Sequence, residues 1–245
     1  MIHTPADMER LVVTMGILPF FKNDVEGFSI DEHTPRHLWF SDYEEGPWEW
    51  KSAVIGGFRA AYGKFFQQKT AFVRLDLYRS LLALRRRGQT PLSLCATEGS
   101  RRVYQAICES EALLTTDIRQ RCGFAPRSSQ PKSPSGRLDR HALQASGLKA
   151  PTHTRQKPAE NLETLLTRMQ MGGILTTADF EYRHTADGRA YGWGVARYTT
   201  PELLYPDLFA EPLPDPQQAL DTLTDHLTRL LPNASEAWVR RFLAG

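Results

Sequence analysis

Apolar positions recur with helical spacing at five places along the chain. Met8, Leu11, Val12 and Met15 predict a helix over 5–15 that Gly16 can end. Val103 and Ile107, then Ile118 and Cys122, predict two short helices between 100 and 124, with Ser100 and Thr115 as their caps. Leu162, Leu165, Leu166 and Met169 form an i, i+3, i+4, i+7 stripe capped by Asn161 and ended by Gly172-Gly173. An amphipathic helix near 216–231 and a last one ending W-V-R-R-F-L close the chain. Pro35 and Pro47 each sit where a short helix would begin, the first capped by Thr34. Asp76 is placed to cap a helix that ends in Arg85-Arg86-Arg87-Gly88.

Hairpin signals replace that spacing at two places. Residues 60–75 read as a hairpin turning near Gln67 to Lys69. Residues 174–184 and 189–199 read as strands joined at Asp187-Gly188. A two-residue loop there pairs His184 with Tyr191, Tyr182 with Trp193 and Phe180 with Val195 on one face. The other face pairs Arg183 with Gly192, Glu181 with Gly194 and Asp179 with Ala196. The aromatic face is expected to cover the helix ending at Met171, because a lone hairpin is unstable in water. Between these elements, 16–30 is irregular and apolar. Residues 125–136 are rich in Pro, Ser and Lys and read as a solvated loop, with a short helix over 138–145 and a linker after it.

The fold class expected is therefore α+β. A winged helix-turn-helix-like module spans 96–202 with a long loop at 124–160, an N-terminal α/β portion covers 1–95, and a helical tail covers 203–245. In the module, helix 161–171 is the expected recognition helix. Its outward positions are expected to be Glu163, Thr164, Thr167, Arg168 and Gln170.

Charge sharpens this picture. The net charge is only +2. Residues 74–168, however, hold 17 Lys/Arg against 8 Asp/Glu, and the flanks are acidic. A basic middle points to a polyanion such as double-stranded DNA. The cations and hydroxyls placed to meet it are Arg101, Arg102, Arg119, Thr164, Thr167, Arg168, Arg183 and Arg189. Asp179 and Glu181 leave only the hairpin tip basic, so a wing would touch with its tip.

Other chemistry is sparse. Three cysteines without C-x-x-C spacing argue against disulfides and zinc; Cys108 and Cys122 are expected to be buried thiols. His33 and His37 flank Pro35 with no third ligand, so no metal or cofactor is expected. Asp42, Glu44, Glu45 and Glu49 surround Trp48 and Trp50, a loop that could hold a protein partner. No apolar run approaches the ~20 residues of a membrane span, and the expected location is cytoplasmic.

Six phrases carry a family resemblance: G-I-L-P-F-F-K-N, G-F-S-I-D-E-H-T, G-P-W-E-W-K, A-Y-G-K-F-F-Q-Q-K-T-A-F-V, L-L-T-R-M-Q-M and Y-G-W-G-V-A-R-Y-T-T-P-E. Together they resemble a group of uncharacterised bacterial proteins described as AlkZ-related. That resemblance implies winged-helix modules and DNA contact, after a glycosylase that excises alkylated bases. Glycosylases of that kind place water with a Gln-x-Gln or Gln-x-Asp motif. The nearest phrase here is Gln170-Met171-Gly172, with glycine in place of the second polar residue. The expectation is therefore DNA binding or regulation without catalysis, the alternatives being a glycosylase relative with Gln170 as catalyst, or a protein-interaction scaffold.

Overall fold

A computed structural model describes residues 1–125 apart from Asp42, and residues 160–244 apart from Thr185, Asp187 and Arg189. The loop, helix and linker expected between 126 and 159 lie outside the described residues. The described chain is a mixed α/β protein. Its helices surround one six-stranded antiparallel sheet.

The N-terminal elements are α1 (Pro5–Met15), β1 (Ile17–Pro19), α2 (Ile30–His33), α3 (Pro47–Gly56), β2 (Ala60–Phe66), β3 (Lys69–Arg74), α4 (Leu75–Arg86) and α5 (Pro91–Leu94). Thr4 caps α1, and Gly16 ends it at a φ of 72°. Gln67 and Gln68 both take positive φ, which gives the β2–β3 turn the right-handed twist a tight hairpin needs. Asp76 lies inside the first turn of α4 and pairs with Arg74 instead of capping. Thr34 ends α2, its hydroxyl donating to the Ile30 carbonyl, and a 3-10 turn over Arg36–Trp39 follows.

The middle elements are α6 (Glu98–Ser110), β4 (Leu113–Leu114), α7 (Thr115–Arg121), α8 (Leu162–Met171), β5 (Thr176–His184) and β6 (Ala190–Thr199). Thr97, not Ser100, caps α6. The two close a reciprocal box in which each side chain accepts the other's backbone N–H. Leu114, not Thr115, precedes α7. The tail adds α9 (Pro201–Leu204), a 3-10 turn, α10 (Pro216–Leu230) and α11 (Glu236–Ala244).

The strand order is β1-β3-β2-β5-β6-β4. β2 and β5 meet through a single pair, Tyr62 with Thr177, so the sheet is two three-stranded halves joined at one rung. Each half has its own core. The first is aromatic, with Phe20, Phe28, Trp39, Trp50, Phe65, Phe66 and Phe72, and the tail's Leu223, Leu227 and Phe242 are buried in it. Phe242 stacks on Phe66 at 4.4 Å and 16°. The second core is aliphatic: Val103, Ile107, Leu113, Ile118, Leu162, Leu165, Leu166, Met169 and Leu175.

Hairpin β5–β6 departs from the expected register. Pairing closes at His184 with Ala190, so five residues separate the strands. Glu181 faces Val195 and Asp179 faces Arg197. Between those rungs and the tip, Tyr182 alone stands against residues 192–194. Gly194 permits this bulge, with a φ of 64° and the Tyr182 ring 2.8 Å from where its Cβ would be. Phe180 and Tyr182 cover α3 and not the helix ending at Met171. Phe180 packs 5.7 Å from the Tyr62 ring, and the Tyr182 hydroxyl donates to the Trp48 carbonyl at 2.6 Å. Lys51 of α3, only 2 % exposed, puts its ammonium 3.8 Å from the Phe180 ring.

Candidate nucleic-acid interface

Helix α8 turns its apolar stripe into the aliphatic core, as its spacing requires. Its remaining faces are unequal. Glu163, Thr164 and Arg168 are exposed. Thr167 and Gln170, expected outside, are 7 % and 3 % exposed because β2 lies against that side. The Thr167 hydroxyl accepts from Lys64 Nζ at 3.2 Å and donates to the Glu163 carbonyl at 2.8 Å. Gln170 Oε1 accepts from the Lys64 backbone N–H at 3.0 Å, while its amide donates to the Leu166 carbonyl at 3.0 Å. Past Tyr62, β2 has no strand neighbour on this edge, and the Gln170 side chain supplies the missing acceptor.

The arginines fall into two groups. Arg101 and Arg102 on α6, Arg168 on α8 and Arg183 near the hairpin tip are exposed, as is His184. Arg101 has the Glu98 carboxylate 3.9 Å away, one helical turn before it. Arg119 is committed inward: it donates to the Glu163 carboxylate at 2.5 Å and to the Ala125 carbonyl at 2.7 Å. Arg189 lies outside the described residues. On the flat side of the hairpin, the Arg197 guanidinium sits 3.2 Å from the Glu181 carboxylate and offsets part of the acidic character expected there.

Between the two halves of the sheet lies a cleft of about 480 Å³. Lys64, Thr115, Arg119, Glu163, Thr167 and Tyr198 give it a mixed, hydroxyl-rich lining. Burial pushes the Tyr198 hydroxyl up to about 12, against the pull of hydrogen bonds to Gln170 and Thr115. At neutral pH it is therefore a protonated phenol. Sequence reasoning missed Lys64 and Tyr198. Tyr198 stood in the Y-G-W-G-V-A-R-Y phrase, but nothing local tied it to Lys64, which reaches α8 from more than 100 residues away.

The remaining expectations are quickly placed. Trp50 is buried in α3, and Trp48 is half-buried against Phe20, Phe21 and Trp39, so neither stands on a loop. Cys122 is buried but Cys108 is exposed, since it falls on the outer face of α6. Burial raises the thiols of Cys95 and Cys122. The His33 ring nitrogen contacts the Gly27 carbonyl at 2.9 Å. Among the described residues no group of three or more His, Cys, Asp or Glu is placed to hold a metal. No described helix is long and apolar enough to cross a membrane.

A family model described as AlkZ related matches residues 2–244. The chain matches no curated protein and no solved structure.

Proposed function

The chain belongs to the AlkZ-related family, and from that premise we propose that it contacts duplex DNA through a winged helix-turn-helix module over residues 96–202. The domain division proposed with it is 1–95, 96–202 and 203–245. The observation that carries the reading is the order α6–β4–α7–α8–β5–β6, with β4 hydrogen-bonded to β6 and β6 to β5. A helix, a short strand, two helices and a two-stranded ribbon are the parts of such a module. Among the described residues, the exposed arginines of this segment lie on α6, α7, α8 and the ribbon.

In this reading the outer face of α8 enters the groove with Thr164 and Arg168, while Arg183 and Arg189 at the ribbon tip and Arg101 and Arg102 on α6 hold phosphates. Thr167 and Gln170 hold α8 against β2 and leave the contact to their neighbours. Both polar ends of Gln170 are engaged inside the protein, which supports binding over bond cleavage at that residue.

Fluorescence anisotropy with a labelled duplex tests the proposal. Four arginine–phosphate contacts give a slope of log K against log salt of roughly −3 to −4. No binding at low salt overturns it. The family match favours a second reading, a DNA-repair glycosylase relative. Abasic sites appearing in alkylated duplex incubated with the protein would support that reading; their absence would leave binding alone.

A further inference from the structure

The aromatic core opens to solvent beside Trp39 and Trp48. Phe21, Trp39, Phe40 and Trp48 line a pocket of about 570 Å³, with Asp31 and Arg36 also lining it. That volume is within the usual range for small-ligand sites, about 300–1,000 Å³. Three of the rings form one continuous wall. Trp39 and Trp48 meet edge to face at 5.6 Å and 84°, and Phe21 lies 6.2 Å from Trp39 and 5.7 Å from Trp48. Phe20, fully buried, sits behind them at 5.4 Å from Trp39 and 5.3 Å from Trp48 and ties the wall to the core. The wall is thus held from behind, while Phe40 is 83 % exposed and Phe21 40 % exposed. Large aromatic surface left in water marks a contact site more often than a packing fault.

The polar groups decide what fits. Among the described residues the Asp31 carboxylate and the Arg36 guanidinium make no ion pair or side-chain hydrogen bond, although both line one pocket. The Trp39 indole N–H is buried with no acceptor among the described residues. An aliphatic ligand would leave all three unanswered. A quaternary ammonium would suit the rings and Asp31 but would meet the Arg36 charge. A flat ring with both acceptors and donors on its edge suits the rings and both charges: its faces stack on the wall, an edge acceptor meets Arg36, and an edge donor meets Asp31.

We propose that this pocket binds a planar nitrogen heterocycle of the nucleobase class. The pocket lies outside 96–202, so the proposal stands apart from the DNA-contact reading. The heterocycle could come from a free nucleoside or from a base swung out of DNA, and the two sources are separable by experiment. The first arm titrates the whole chain with adenosine and, for comparison, with indole, a flat ring without an edge acceptor, by calorimetry. The second compares a duplex carrying one unpaired adenine with its fully paired counterpart, by anisotropy. Both arms are repeated with Phe40→Ala and Arg36→Gln, exposed positions whose thermal melts should match the parent chain.

The expected result is preference for adenosine over indole by about tenfold, or tighter binding of the unpaired-adenine duplex, reduced roughly 5- to 100-fold by each substitution. The arm that responds identifies the source. Absence of preference in both arms, or preference that survives both substitutions, overturns the pocket. Affinity for the fully paired duplex should be unchanged by either substitution, so the pocket and the arginine interface can fail separately.

Discussion

The two halves of this molecule solve the same packing problem with different side chains. The half around β1, β2 and β3 is built from aromatics drawn from both ends of the chain: Phe20, Phe28 and Phe66 pack with Trp238 and Phe242. The half around β4, β5 and β6 is aliphatic and sequence-local, from Cys95 to Leu175. The aromatic half closes long loops and leaves ring surface open at Phe21 and Phe40. The aliphatic half packs α6, α7 and α8 around its core, and its surface carries exposed arginines. In the two readings proposed above, binding to a flat ring and binding to a phosphate chain would be served by different cores.

The halves meet at a few seams, and the first predictions break those. Arg86 is the strongest. Its guanidinium, 4 % exposed, donates to Glu202 at 2.6 Å and twice to the Gly173 carbonyl, at 2.9 and 2.7 Å. It joins α4 to the entry of β5. Arg86→Met should cost about 3–5 kcal/mol, read by urea unfolding, because it strips a buried carbonyl and a carboxylate of their donor. A loss below about 1 kcal/mol would mean the halves are held elsewhere.

Gln170→Ala comes next. The substitution leaves the Lys64 N–H without its side-chain acceptor, and about 1–3 kcal/mol should be lost. Gln170→Glu, which keeps the acceptor, should recover part of it if the acceptor is what matters. A stability unchanged in the alanine variant would contradict the role given to this residue.

The third prediction is a pH effect at Lys51, where β5 and β6 lean on α3. Burial under the rings of Phe180 and Trp48 brings its ammonium down to about 8, with Glu49 opposing the shift. A base whose folded value lies below its unfolded 10.5 binds fewer protons when folded. Its contribution to stability therefore rises as pH goes from about 8 toward 10.5. Buried Tyr62 and Tyr78 and half-buried Tyr182, all raised, act in the opposite direction above 10. The comparison is thus between the chain and Lys51→Met from pH 7.5 to 9.5. The parent should gain stability relative to the variant, and parallel curves would refute the shift.

The smallest expected effect is at Arg119. Its pair with Glu163 is partly exposed, at 18 % and 45 %, so Arg119→Ala should cost no more than about 1 kcal/mol and serves as a control within the aliphatic half.

Legibility in the sequence follows the same division. Helices α1, α6, α7, α8 and α10 are readable because each buries one face against neighbours and so keeps a 3.6-residue period. The β2–β3 turn is readable because the polar Gln67-Gln68-Lys69 interrupts two apolar, aromatic-rich runs. Strand β1 is hidden in an irregular apolar stretch, where three buried residues in a row carry no period. The β5–β6 register is hidden because alternation cannot reveal a bulge, and Gly194 is the only local hint of one. The sides of α8 covered by β2 are hidden too, since no local pattern shows that a strand 100 residues earlier packs there. The aromatic pocket lies across three segments, P-F-F, L-W-F and P-W-E-W, whose density of rings was visible but whose convergence was not.

The most direct test of the DNA account is the salt dependence of duplex binding in the parent chain and in the double variant Arg168→Ala/Arg183→Ala. The account predicts that log K falls linearly with log salt, and that the slope shrinks by about 0.9, for the one phosphate contact removed at Arg183, Arg168 being placed in the groove. Thermal stability should be unchanged, because both side chains are exposed. A slope identical in the two proteins would contradict the account and move the contact away from α8 and the hairpin tip.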